Sequence, residues 1–171
     1  MAHTGGGLSV YIRVPMPYLV ADKLQEAPPG QLPEPAPFTT NAFEDAVLVH
    51  FVDFDAIADT PKELARLVQE GHRIDVHGQA LTPEFRALQV YQAGAEPGFA
   101  TLDEARASLA LERIARPAQP VYVGDAVVDV ALFYPVEGAV AAYDFSSSLN
   151  PNLPGQEDTA NLILDYGPGD P

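Results

Sequence analysis

Leu8, Val10, Ile12 and Val14 alternate with Ser9, Tyr11 and Arg13. A period of two along this run predicts a strand with one buried face, closed by Pro15 and Pro17. Ala46–Phe54 (AVLVHFVDF) is short, continuous and rich in Val and Phe, which predicts a buried strand. Thr60-Pro61-Lys62-Glu63 then reads as a helix start. Thr60 is the N-cap, Pro61 suits the first helical position and Glu63 completes a capping box. Leu64, Leu67 and Val68 form the apolar stripe, and Gly71 is expected at C′. His72–His77 predicts a short strand. Thr82–Ala93 is open between a helix begun by Thr82-Pro83 and a strand suggested by the alternation of ALQVYQ, with strand favoured in its second half. Thr101 and Glu104 frame a second capping box. Ala107, Ala110, Leu111 and Ile114 supply that helix's apolar face, Arg113 and Arg116 its last turn, and Pro117 its stop.

Beyond Pro120 the pattern turns to β. Val121–Tyr134 is too long for one average strand, and Gly124-Asp125 is expected to interrupt it. Ala139–Phe145 and Ala160–Tyr166 are two further strands by composition, with SSSLNPNLPGQED as loop between them. One clear βαβ unit followed by a cluster of strands predicts an α+β fold with a mixed or antiparallel sheet and two main helices. The chain divides into an N-terminal strand over residues 1–14, a proline-rich arm or long loop over 15–43, a single α+β domain over 44–166 and a tail over 167–171.

The stretch Pro15–Pro37 carries seven of the 17 prolines. Proline lacks the amide donor and fixes φ, so this segment is expected to be extended, partly polyproline II, and to lie along a surface. Met16, Tyr18, Leu19, Val20, Leu24 and Leu32 interleave with the prolines. A pure spacer would be more polar, and apolar groups on a stiff chain lose less entropy on docking. These six residues are therefore the partner-binding candidates.

Charge narrows the partners. Nine basic and 24 acidic residues among 171 give a net charge of −15, and the span 117–171 contains eight acids and no lysine or arginine. Such a surface repels nucleic acid and anionic membranes and attracts cations or basic proteins. Nucleic acid and membrane are thus excluded as partners, and other protein subunits, including copies of this chain, are favoured. There is no cysteine, so thiolate chemistry and disulfides are absent. The start MAHTGGG lacks the basic and apolar regions of a signal peptide, and no apolar run reaches the ~18 residues of a membrane helix. A cytoplasmic or virion location is expected.

Catalytic motifs are missing: there is no nucleophile elbow, phosphate loop, zinc-finger spacing or dinucleotide glycine pattern. His72-x-x-Asp75-x-His77 is the strongest chemical signal. On a strand, Asp75 and His77 share a face, and His50 or Asp53 from a neighbouring strand could complete a zinc or iron site. Arg73 falls on that same face and repels a cation, so no metal and no cofactor are expected. Asp53 and Asp55 in VDFDA lack the small residue and threonine that follow a phosphatase aspartate; they are expected to end a strand before the helix. Three functions follow in order. The first is a non-enzymatic structural or accessory subunit of a larger assembly, such as a virus capsid or phage tail. The second is an acidic regulatory or inhibitor protein for a basic partner. The third is a metal-dependent hydrolase built on His50, Asp75 and His77.

Overall fold

The computed structural model describes residues 1–4, 6–28, 30–138, 140–149 and 162–167. The fold is α+β with antiparallel sheets, as the strand and helix order predicts. Its frame is a four-stranded sheet in the order β1 (Ala2–Thr4), β2 (Gly7–Pro15), β8 (Ala126–Pro135) and β7 (Glu84–Gln92). Leu8 faces Tyr134 and Val14 faces Val128 across β2 and β8, so the alternation of the N-terminal run places its apolar face against that of β8. The strand character of Thr82–Ala93 extends through its first half: β7 pairs with β8 from Glu84 onward, with a bulge between Phe85 and Ala87. The long β run is interrupted where expected, by a 3-10 turn over Val123–Asp125 that leads into β8.

A two-stranded ribbon, β3 (Thr39–Glu44) and β4 (Val47–Val52), projects beside this frame. The strand expected from Ala46 starts one residue later, because Asp45 and Ala46 form the tip with φ of 47° and 64°. Two consecutive positive φ values belong to a type I′ hairpin, whose twist matches the flanking strands. Ala46 tolerates that conformation at a cost of about 1–2 kcal/mol relative to glycine. A third sheet joins β6 (Gln79–Ala80), β5 (His72–Val76) and β9 (Asp144–Ser147). The strand expected over Ala139–Phe145 is thus displaced toward the C-terminus. In the stretch Ala160–Tyr166, residues 160 and 161 lie outside the described residues; 162–165 form no strand, and Tyr166 makes a single parallel bridge to Ala2.

The helices are α1 (Pro17–Val20), α2 (Phe54–Asp59), α3 (Pro61–Glu70) and α4 (Leu102–Ser108). The capping box expected at Thr60 does not form. Thr60 lies at the junction of α2 and α3, and its hydroxyl donates back to Ala56 O at 2.9 Å, on α2. Asp53 instead caps α2, accepting from Asp55 N at 3.1 Å and Ala56 N at 2.9 Å. Gly71 is not a left-handed C′ residue, since its φ is −80°. It is small for a steric reason: a Cβ there would lie 2.2 Å from the Leu149 side chain.

One face of the main sheet carries Val10, Val14, Leu88, Val90, Val128 and Val130, packed with Leu64 and Val68 of α3 and Ile74 of β5. The proline-rich stretch joins this core at its start, contrary to the extended arm that its composition suggests. Met16 and Val20 are fully buried and Leu19 nearly so, carried on α1 after Met16 N donates to Ala126 O. Proline at the first helical position, its lost amide being one a helix start does not use, allows this turn. Three of the six expected partner contacts are therefore core residues. Tyr18 and Leu24 are half-buried, and Leu32 is exposed.

Candidate functional site: a groove along the open edge of β2

The hydrogen-bond phase of β2 follows from two bonds at its ends. Met16 N donates to Ala126 O at 2.8 Å and Val136 N donates to Gly6 O at 2.9 Å. In an antiparallel ladder alternate residues exchange both their bonds with one neighbour, so the even-numbered residues of β2 face β8. The N–H and C=O groups of the odd-numbered residues point to the other edge. β1 pairs with that edge opposite Gly7, Leu8 and Ser9. At Tyr11 and Arg13, no strand among the described residues takes the outward groups.

Residues 162–166 stand one lane further out. Tyr166 bridges Ala2 in parallel, its N–H donating to Met1 O at 2.9 Å, on the side of β1 away from β2. The Met1 ammonium donates to Leu164 O. His3 and Tyr143 hold the same segment through Asp165, at 3.0 and 2.9 Å. At the Tyr166 bridge, β1 stands between this segment and β2, so the two are about two strand spacings apart there. Between them, in line with β1, runs a groove of about 600 Å3.

Both sides of the groove are apolar. On one side lie Phe99, Leu102 and Ala105 of the α4 region; on the other lie Tyr18, Phe145 and Leu149. His72 also lines it. Its Nδ1 bonds Val68 O at 2.7 Å, which leaves Nε2 as the unengaged ring nitrogen. Burial holds the His72 pKa below the ordinary histidine value, against the opposing effect of the Val68 bond.

The charged side chain in the lining, Arg13, is already engaged. Its Nε and Nη2 donate to the two carboxylate oxygens of Asp129, each at 2.7 Å, its Nη1 donates to Pro97 O at 2.9 Å, and its guanidinium lies 4.5 Å over the Phe99 ring. Ser108 of α4 donates its hydroxyl to the same Asp129. This polar cluster fixes α4 and its approach loop on the second face of the sheet. It also ends α4 earlier than the apolar stripe to Ile114 predicts. Tyr91 Oη donates to Ser108 O at 2.5 Å, and Gln89 Nε2 donates to Leu111 O at 3.0 Å. Sheet side chains thus satisfy carbonyls that a longer helix would have satisfied itself. The helix start is as expected, with a complete Thr101–Glu104 capping box.

The residues considered for a metal are not brought together. His50 lies on the ribbon, bonded through Nδ1 to Asn41 Oδ1 at 2.7 Å. Asp75 lies on another sheet, held by both Nε and Nη2 of Arg73 at 2.6 and 2.7 Å. β5 ends at Val76, so His77 is not on the strand but in the turn with Gly78, at φ 52°. No group of three or more metal-ligating side chains occurs among the described residues. No helix among them is long and apolar enough to cross a membrane.

Asp129 and the groove are both absent from the expectations drawn from sequence. Asp129 had a signal: AVVDVALFY and LSVYIRV each carry one charge inside an apolar run, of opposite sign. The groove had none, because it arises from the Tyr166–Ala2 bridge between distant segments. Compared with protein-family models, curated proteins and solved structures, the chain matches none.

Proposed function

We propose that this chain is a non-enzymatic subunit of a larger protein assembly, and that it joins its neighbour by accepting an extended segment of another polypeptide along β2. The observation that carries this reading is the edge at Tyr11 and Arg13, which no strand among the described residues covers, facing a largely apolar groove. An unpaired edge offers main-chain hydrogen bonds, and flanking pockets offer side-chain selectivity; together these are the parts of strand addition. The contact expected of the proline-rich stretch is thereby reassigned: Tyr18 alone of its six candidate residues lines the groove.

The test uses the outward amide of Tyr11. Proline is tolerated on an edge strand when its missing amide faces away from the sheet, so Tyr11→Pro leaves the β2–β8 ladder intact. Native mass spectrometry of the assembly isolated from its source should show the wild-type chain bound and Tyr11→Pro released, with the variant's circular dichroism and urea midpoint close to wild type. Full retention of a folded Tyr11→Pro chain in the assembly would remove the edge as the point of contact.

A further inference from the structure

We infer that His3 is a pH-sensitive fastener: as the charged imidazolium it ties residues 162–166 to β1, and as the neutral ring it loosens them. It acts within the fold and is independent of what the β2 edge accepts.

His3 is the middle residue of β1, opposite Leu8 of β2, and its side chain is only 8% exposed. Its Nδ1 lies 3.2 Å from Val140 O, and its Nε2 lies 3.0 Å from Asp165 Oδ1. A carbonyl oxygen and an ionised carboxylate oxygen only accept hydrogen bonds. Both ring nitrogens must therefore donate, and only the imidazolium carries two N–H groups. In that form His3 joins β1 to Val140 on one side and to Asp165 of the 162–166 segment on the other.

The neutral ring has a single N–H. With the proton on Nδ1, the lone pair of Nε2 points at the Asp165 carboxylate. With the proton on Nε2, the lone pair of Nδ1 points at the carbonyl of Val140, itself a buried residue. Either tautomer sets two acceptors against each other around a ring that solvent barely reaches, and an unmade bond is costly there. His72 is the opposite case. One of its nitrogens meets a carbonyl, and burial favours its neutral form. The two histidines thus respond to the same change of pH in opposite senses.

The titratable groups facing His3 among the described residues come from three places. Asp165 is its partner on the 162–166 segment. Tyr143, whose ring centroid is 6.1 Å from that of His3, donates its hydroxyl to Asp165 Oδ2 at 2.9 Å. Burial, with the help of Asp165, pushes the Tyr143 phenol up to about 12, so this bond does not change near neutrality. On its own strand, the Met1 ammonium donates to Leu164 O; burial lowers its pKa, and the charge of Asp165 opposes that. The bond from Tyr166 N to Met1 O at 2.9 Å involves no titrating group. Docking of the segment therefore favours the protonated His3. It is tight below the range in which histidines lose their proton and weakens as pH rises through it, by up to about tenfold per pH unit. Leu164 and Tyr166 line the groove, so the tether also fixes one of its walls.

The experiment is amide hydrogen exchange of the full chain followed by NMR at about pH 5.5 and about pH 8. Each rate is divided by that of an unstructured peptide at the same pH. The N–H of Tyr166 reports the segment, and that of Val130 in β8 reports the sheet. An N-terminally acetylated chain is used throughout, which removes the titration of the Met1 amine. Protection of Tyr166 should fall by at least about tenfold from the lower to the higher pH, while that of Val130 holds. His3→Gln, which does not titrate, should show no such fall. Asp165→Asn should show little, because its amide can donate to the neutral ring as readily as it accepts from the charged one. A Tyr166 protection that does not change with pH overturns the inference. So does an equal fall in His3→Gln, which would place the cause in another group. Should His3→Gln fail to fold, Asp165→Asn decides: a fall as large as in the unsubstituted chain overturns the fastener, and its loss supports it.

Discussion

Arg13 closes two nitrogens of its guanidinium on Asp129, whose side chain is fully buried at the centre of β8, while Arg13 itself remains 22% exposed. The pair joins the open-edged strand to the strand at the middle of the sheet. Burying a carboxylate costs several kcal/mol, and bidentate geometry with a further hydroxyl donor is what offsets it.

Removing one partner leaves the other uncompensated. Arg13→Ala should destabilise the fold by about 3–5 kcal/mol, the range for breaking a buried pair. Asp129→Leu combined with Arg13→Met should cost far less than either change alone, because no buried charge is then left unpaired. Urea denaturation of the two single variants and the double variant checks this. A double variant as unstable as the sum of the singles would mean that the pair does not act as a unit.

The two threonines that look alike as helix caps differ in the structure. Thr101 accepts from Glu104 N at 3.2 Å, and Glu104 returns a bond to Thr101 N at 3.0 Å. Thr60 makes no cap bond to α3. Thr101→Ala should therefore cost about 1 kcal/mol, and Thr60→Ala less than half of that. Asp53→Ala, which removes the cap of α2, should resemble Thr101→Ala. Equal losses at Thr60 and Thr101 in urea titrations would contradict the caps described.

His72 ties stability to pH. Its pKa is depressed in the folded protein, so the neutral ring is the form that the fold favours. Its contribution is complete above the unfolded value of about 6.5 and is lost as pH falls through the lower folded value. The urea midpoint should drop between about pH 7 and pH 5 by more in the wild type than in His72→Gln, whose amide can still donate to Val68 O but does not titrate. Identical drops in both proteins would place the acid sensitivity in the carboxylates alone.

The elements with strong local signals are the ones legible in the chain. The β2 alternation, the Thr101–Glu104 box and the break at Gly124-Asp125 all rest on residues close in sequence, and all three form. Thr60-Pro61-Lys62-Glu63 has the same local signature but directly follows α2, and the preceding turn takes the hydroxyl through Ala56 O, four residues back. Likewise Met16, Leu19 and Val20 read as a docking surface because their prolines imply extension, while the depth at which α1 packs is set by β8, more than 100 residues away. The groove is the extreme case. It depends on Tyr166 meeting Ala2, and no local pattern encodes a gap between two distant segments.

β8 comes late in the chain yet sits between β2 and β7, holding both along nearly their whole lengths. During synthesis, β2 has no partner for its inner edge until residues 126–135 have left the ribosome. The hydrophobic faces of β2 and β7 are therefore made long before they can be covered, and the sheet closes in a late step that joins the most distant parts of the chain. Such non-local closure is slow, and two unpaired strands awaiting it are exposed to association with other chains. Among the described residues, the edge of β2 at Tyr11 and Arg13 is the part of that early state that no strand covers in the completed fold.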